Sequence, residues 1–275
     1  MTPIATAQTL TRWLSYAAIA GLLAAPFAWM LALSLRAAGK PLPEALFRFD
    51  AAPTLAAFAR VFDWVPMANG LVLSALLTLA TTVLTWLAAS FTGFGPPPLG
   101  QQGKWLGGGF LVGAASVPLT AIWVPRFVMF KALGLTGTPL PLLLPALYGL
   151  SPLFVLLYYA AFRRLNADAF DAAVLEGSSI VWQWWRAALP QVRATTVAVA
   201  TLAGMQSWAA FMEPLLYLDR EHQQTAPLLL HSLEMLGSTQ WSTLMAGAVL
   251  VTLPVVLVFA ASQNLFRSLG DEKSS

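Results

Sequence analysis

Asp171-Ala172-Ala173-Val174-Leu175-Glu176-Gly177, with Leu189-Pro190 downstream, is a polar interruption between two long apolar runs. Ala167 to Glu176 reads as a short helix, with Asn166 placed to cap its N-terminus and Asp168 complementing the positive end of the dipole. Phe170, Ala173, Val174 and Gly177 fall on one face at helical spacing. Gly177 can take the left-handed turn that ends the helix. Ser178 or Ser179 can then cap a second helix carrying Trp182, Trp184 and Trp185, which Pro190 closes or kinks. The stretch predicts a helix-Gly-helix elbow at a membrane surface.

Glu176 goes against local rules. It lies in the last turn of the first helix, where the dipole disfavours an anion by a few tenths to about 1 kcal/mol. An outside cation would offset that cost. The plainer reading is an exposed acid tolerated in a loop.

Composition agrees with the membrane context. Of 275 residues, 58% are hydrophobic and 10% charged, against about 25% charged in soluble globular chains. Apolar runs of spanning length predict an all-α polytopic membrane protein, with all 275 residues in one transmembrane domain. The net charge of +3 is small and the basic residues are scattered, which excludes a nucleic-acid surface. There is no cysteine, hence no disulfide or thiolate metal site.

Working outward from the elbow, about six spans are expected, at 13–35, 69–91, 105–125, 139–162, 194–213 and 243–266. Arg12 and Arg36 bracket the first. A signal peptide is its rival, with Ala24-Ala25 as a poor cleavage site, but the run is too long. Between the first two spans, Phe58, Val61 and Phe62 suggest a short amphipathic helix in the interface. Gly95 to Pro98 and Gly100 form a turn before Trp105. Gly107, Gly108, Gly109 and Gly113 offer close helix packing or mark irregular backbone. Arg126 and Lys131 mark where the third span leaves the hydrocarbon. Pro141, Pro145 and Pro152 burden the fourth, and Arg163-Arg164 stops it. Leu215 to Gln240 reads as an outer loop. Lys/Arg counts nearly balance between the two sides, so charge alone sets no orientation.

No catalytic constellation stands out. His222 and His231 share one loop without further ligands, short of the three or four a metal needs. Phosphate-cradling Gly/Lys loops and nucleophile motifs are missing from the sequence. Ionisable residues are almost absent from the spans, which argues against an ion-coupled carrier. Hydroxyl and amide groups do occur there, among them Ser74, Thr78, Thr81, Thr82, Thr85, Gln206 and Ser207. They suit sugar hydroxyls, with Trp86, Trp123 and Trp208 stacking on sugar faces. They suit helix-to-helix hydrogen bonding and interfacial anchoring as well.

The elbow resembles the EAA motif of ABC-importer permeases, which runs Glu-Ala-Ala, three residues, Gly, then Leu-Pro about a dozen residues on. The match is at Ala172, Ala173, Gly177, Leu189 and Pro190. It departs at Asp171, where the family usually has Glu, and at Glu176, where it often has Asp. Pro26 to Trp29 with Ser34 to Arg36, Asn69, Lys131 to Leu135, and Thr225 to Leu233 resemble carbohydrate-importer permeases in the family's order. Trp208 to Pro214 resembles the family's Trp-Asn-x-Phe segment at Trp208 and Phe211, with Ala209 in place of the Asn.

This resemblance implies the type I ABC-importer permease fold of the maltose-permease-like group. It also implies that 166–190 is a cytoplasmic coupling loop, with Asp171, Ala172, Ala173, Glu176, Gly177, Leu189 and Pro190 meeting an ATPase. The implied partners are a second permease subunit, two ATPase subunits that bind ATP and Mg, an extracytoplasmic solute-binding protein and membrane lipid. The chain itself is then no enzyme and carries no cofactor. It sits in a bacterial inner membrane with both termini cytoplasmic. Gln206, Ser207, Trp208 and Phe211 are the expected substrate-pathway residues for a sugar or oligosaccharide. A polyamine, phosphate or glycerol phosphate permease, and a membrane-embedded enzyme or scaffold, are the alternatives.

Overall fold

The computed structural model describes residues 3–37, 52–95, 109, 112–148, 151–166, 170, 173, 175–218, 223–235, 237 and 240–271. Among them there are helices and turns and no strand. Four stretches are long and apolar enough to cross a membrane: Arg12–Ser34, Met67–Phe94, Leu140–Phe162 and Trp241–Gln263. All-helical backbone is what a bilayer allows, because each N–H and C=O must be satisfied within its own segment.

The chain divides into two units. The first comprises Met1–Ala68 and Leu229–Leu253. It holds α1 (Pro3–Ser34) and α2 (Ala56–Trp64). In α2, Ala57 and Val61 are buried while Phe62 is exposed. The unit also takes the later part of α10 (Ala226–Glu234) and the start of α11 (Trp241–Asp271). At Gly247 of α11, an added Cβ would come within 2.8 Å of Leu233 Cδ1 and 3.3 Å of Leu230 Cδ1. The missing side chain therefore sets the approach of the two helices. His231 and Glu234, one turn apart on α10, pair at 3.2 Å.

The second unit, Asn69–Leu228 with Pro254–Ser275, carries the elbow. Its helices are most of α3 (Met67–Phe94), α4 (Leu119–Ala132), the short α5 (Leu140–Leu143), α6 (Pro152–Phe162), the turn α7 (Ile180–Trp182), α8 (Arg193–Trp208) and α9 (Met212–Tyr217). The core is built from Ala89, Phe154, Val155, Tyr158, Trp184, Leu189, Val192, Val199 and Ala203. Gly93 lets α3 and α6 touch, since a Cβ there would lie 2.7 Å from Tyr158 Cβ and 2.9 Å from the Tyr159 nitrogen. Tyr158 Oη donates to Thr196 Oγ1 at 3.1 Å, tying α6 to α8.

Four regions depart from the sequence expectation. In the run at 105–125 both Val117-Pro118 and Val124-Pro125 read as breaks, and only the first is one. Residues 112–115 are helical, the chain breaks at Ser116 to Pro118, and α4 begins after Pro118, whose ψ of 132 is extended. Proline has no N–H and disfavours helix at the residue before it. Then α4 runs through Pro125, Arg126 and Lys131, where an exit was expected, and ends at Gly134, with φ +68. Lys131 in the last turn suits the dipole.

The run at 139–162 is likewise two pieces. A 3-10 turn, Leu144–Tyr148, follows α5, and α6 restarts at Pro152 under the cap of Ser151 Oγ, which accepts from the Leu153 N–H at 3.3 Å. The run at 194–213 ends at Trp208, with a turn at Ala209 and α9 beyond it. The expected outer loop from Leu215 holds helix too, since α9 reaches Tyr217 and α10 covers Ala226–Glu234. Its α10 starts under a cap from far away in sequence: Ser74 Oγ accepts the Ala226 N–H at 2.8 Å. Gly107, Gly108, His222 and the turn at 96–104 lie outside the described residues.

Candidate functional site: an elbow and a cavity

At the elbow, Phe170, Ala173 and Leu175 are helical, and Glu176 and Gly177 form the turn. Asp171 and Ala172 lie outside the described residues. Gly177 has φ +82. The Ser178 N–H donates to the Ala173 carbonyl at 3.0 Å, closing the left-handed helix end that glycine makes cheap. Glu176 and Leu175 are exposed. The two serines divide their tasks. Ser178 Oγ donates to the Ala173 carbonyl at 2.6 Å, and Ser179 Oγ accepts the Trp182 N–H at 3.3 Å, capping the next helix. Gln183, itself buried, locks the corner by donating from Nε2 to Ser178 Oγ at 3.0 Å and to Ser178 O at 3.2 Å.

Beyond the corner the helix does not close at Pro190. It widens into a π-wound segment, Gln183–Ala188, tightens into a 3-10 turn, Leu189–Val192, and continues as α8. The missing N–H of Pro190 explains the change of winding. Leu189 is buried in the core while Pro190 is exposed, so of these two only Pro190 reaches the surface. Trp184 packs edge-on to Phe91 at 5.2 Å, and Trp185 lies 5.9 Å from Trp86. Trp182 and Trp185 stay about half exposed, at 52% and 46%.

At the other end of the same rod is a cavity of about 430 Å³, within the range for small-molecule sites. Gln206, Ser207, Trp208 and Phe211 all line it, as do Ser74, Thr81, Trp123, Arg126, Glu213 and Thr225. Trp123 Nε1 donates to Glu213 Oε1 at 3.1 Å. Thr225 Oγ1 is buried without a hydrogen-bond partner among the described residues. A second cavity, about 310 Å³, shares Trp208 and takes in Thr78, Thr82 and Gly204. Trp86 lies with Trp185 instead.

Sequence reasoning did not bring Glu213, Thr225 and Arg126 to the cavity. Glu213 read as the end of the fifth span, Thr225 as part of an outer loop and Arg126 as the end of the third span. Their meeting depends on contacts between residues 74, 123, 213 and 225, for which no local pattern exists. Few residues of the expected spans are ionisable, yet Arg126 and Glu213 both line the cavity. Among the described residues no group of His, Asp or Glu could hold a metal ion.

No family model matches the chain. The lactose transport system permease protein LacG of Rhizobium radiobacter is 28% identical over 192 residues, 69% of this chain and 69% of its own length. The trehalose/maltose transport system permease protein MalG of Thermococcus litoralis is 24% identical over 240 residues, 85% of this chain and 84% of its own. A chain from the structure of a bacterial ABC transporter involved in the import of the acidic polysaccharide alginate superposes with a TM-score of 0.80 at 14% identity. That match covers 97% of this chain and 99% of the other. The chain is thus similar in sequence to permease proteins of sugar transport systems, and it shares its fold with a chain of a bacterial ABC transporter.

Proposed function

We propose that the chain forms the translocation path for a sugar or oligosaccharide and takes its driving force at the elbow. Its partners are a second permease subunit, two ATPase subunits that bind ATP and Mg, and an extracytoplasmic binding protein. It lies in a bacterial inner membrane with the elbow and both termini in the cytosol. Asp171, Ala172, Ala173, Glu176 and Gly177 seat the elbow in a cleft of the ATPase, while Leu189 and Pro190 set the winding behind it.

The observation that carries this reading is that consecutive helical segments run from the Ser179 cap to Trp208, through the π-wound and 3-10 turns and a Val192 off helical geometry at φ −108, ψ 31. Roughly 40 Å of helix joins the exposed corner to the cavity wall. A displacement at the corner passes to Gln206 and Trp208 along these segments, of which Leu189 and Val192 are anchored in the core. ATPase closure moves the corner, the rod shifts its cavity end, and access to the cavity alternates. The aromatic and hydrogen-bonding lining and the kinship to lactose and trehalose/maltose permeases support a carbohydrate as cargo. Arg126 on the wall supports a second reading, an anionic carbohydrate; comparing uptake of a neutral sugar and its uronate separates the two.

The test of coupling is reconstitution. Gly177→Pro cannot adopt a positive φ, and Asp171→Lys reverses a charge at the proposed contact. Both should abolish import while the binding protein still captures sugar. Import at the wild-type rate by the Gly177→Pro complex would end the coupling assignment.

A further inference from the structure

The cavity wall contains a fixed aromatic face. An indole has one N–H in the plane of its ring, and its side chain turns about two χ angles. The bond from Trp123 Nε1 to Glu213 Oε1, across ninety residues of sequence, therefore sets the plane of the Trp123 ring. Both residues line the cavity with Trp208 and Phe211.

Thr225 supplies an independent observation. The residue is 4% exposed, its Oγ1 has no hydrogen-bond partner among the described residues, and it lines the same cavity. A buried hydroxyl left unpaired is costly, and a ligand hydroxyl at the wall would satisfy it. A flat apolar face beside an acceptor and an unpaired hydroxyl complements a pyranose, which has an apolar C–H face and a rim of hydroxyls. A phosphate would meet the Glu213 carboxylate, and a polyamine would meet Arg126.

We propose that Trp123, oriented by Glu213, is the stacking face for a pyranose ring in this subunit, and that Thr225 hydrogen-bonds one of its hydroxyls. Trp123 and Thr225 are then specificity-determining residues and Glu213 a positioning residue. The inference rests on the carbohydrate reading above.

The whole importer in proteoliposomes, with ATP inside and binding protein outside, tests it. Uptake of radiolabelled lactose, maltose and trehalose identifies a transported sugar. Its deoxy analogues are then run with the same binding protein, so that differences between variants arise in the membrane complex. Glu213→Ala and Trp123→Phe should each lower uptake about tenfold, as expected for one charge-assisted hydrogen bond. The double variant should be no worse than either single, because both remove the same bond. Glu213→Gln keeps an acceptor and should keep most uptake. Thr225→Val should slow the parent sugar and leave one deoxy analogue unaffected. ATP turnover stimulated by the binding protein identifies assembled complexes; where the alanine variant does not assemble, Glu213→Gln with Trp123→Phe and Thr225→Val decide. Multiplying losses in the double variant, equal slowing of every analogue by Thr225→Val, or wild-type uptake by the single variants would overturn the subsite while sugar import stands. Uptake of none of the three sugars by the wild-type complex would overturn the carbohydrate reading and the subsite with it.

Discussion

Ser178 closes the first elbow helix on Ala173 through two of its atoms: the backbone N–H at 3.0 Å and the hydroxyl at 2.6 Å converge on one carbonyl oxygen. Gly177, at φ +82, makes that convergence possible. The corner is thus a locally determined shape rather than a loop held by its surroundings.

Gly177→Ala isolates the backbone cost of the corner. Among the described residues nothing lies within 4 Å of the added Cβ, so the penalty is conformational. A non-glycine residue in the left-handed region costs about 1–2 kcal/mol. Amide hydrogen exchange at 175–179 should speed up several-fold, with no change in the core at Phe154 or Val199. Gly177→Asn should fall between wild type and alanine. Equal exchange in all three would mean that the turn is not glycine-dependent.

Gly93 and Gly204 should respond differently to the same change. At Gly93 the added carbon meets Tyr158 Cβ at 2.7 Å and backbone atoms of Tyr159 and Val155 at 2.9 and 3.0 Å. Backbone cannot swing aside, and overpacking of this kind costs about 1–3 kcal/mol. At Gly204 the nearest atom is Thr82 Oγ1 at 3.3 Å, the end of a side chain. Thermal unfolding of the detergent-solubilised complex should show a clear drop for Gly93→Ala and little for Gly204→Ala. Matched drops would contradict the close α3–α6 approach.

The corner is legible in the sequence because its signals are local. Gly177 and Ser179 announce a helix end and a helix start to anyone counting residues. The helices Pro3–Ser34 and Met67–Phe94 are legible because long uncharged runs have few alternatives. The broken helices are only partly so: Val117-Pro118 reads as a break and is one, whereas Val124-Pro125 reads as a break and is not. A proline inside an apolar run is compatible with a rod, as Pro125 and Pro254 prove, or with a break, as Pro118 and Pro152 prove. Partners elsewhere in the fold decide which. The cavity is half legible. Gln206, Ser207, Trp208 and Phe211 fall in one short segment that resembles a known family, whereas Thr225 and Glu213 reach the wall only through tertiary contacts.

Ser74 should matter more than an exposed serine cap. Its Oγ accepts the first N–H of α10, both groups are buried, and Pro227 follows in the first turn. Ser74→Ala leaves that N–H unpaired, at about 1–3 kcal/mol. Ser74→Thr keeps the oxygen. The alanine variant should lower the unfolding midpoint and expose 226–228 to faster hydrogen exchange, and threonine should restore most of both. No change at 226–228 would show that the α10 start is held by something else.

Gln183 offers the sharpest test of whether corner stiffness carries force. It is 6% exposed and its Nε2 donates to both the carbonyl and the hydroxyl of Ser178. Gln183→Leu keeps similar bulk and removes the donor. Gln183→Glu puts an acceptor against the Ser178 carbonyl, an arrangement that repels unless the acid is protonated. Both should loosen the corner while the Ser179 cap and the core at Trp184 persist. The expected result is ATP turnover that continues while sugar moved per ATP falls, further for Glu than for Leu. A buried acid that must protonate to keep its bond would also make the Glu variant recover at lower pH, because the neutral carboxyl can again donate to Ser178. Unchanged sugar per ATP in both variants would show that the rod transmits displacement without this lock, and would shift the mechanical role to Gly177 alone.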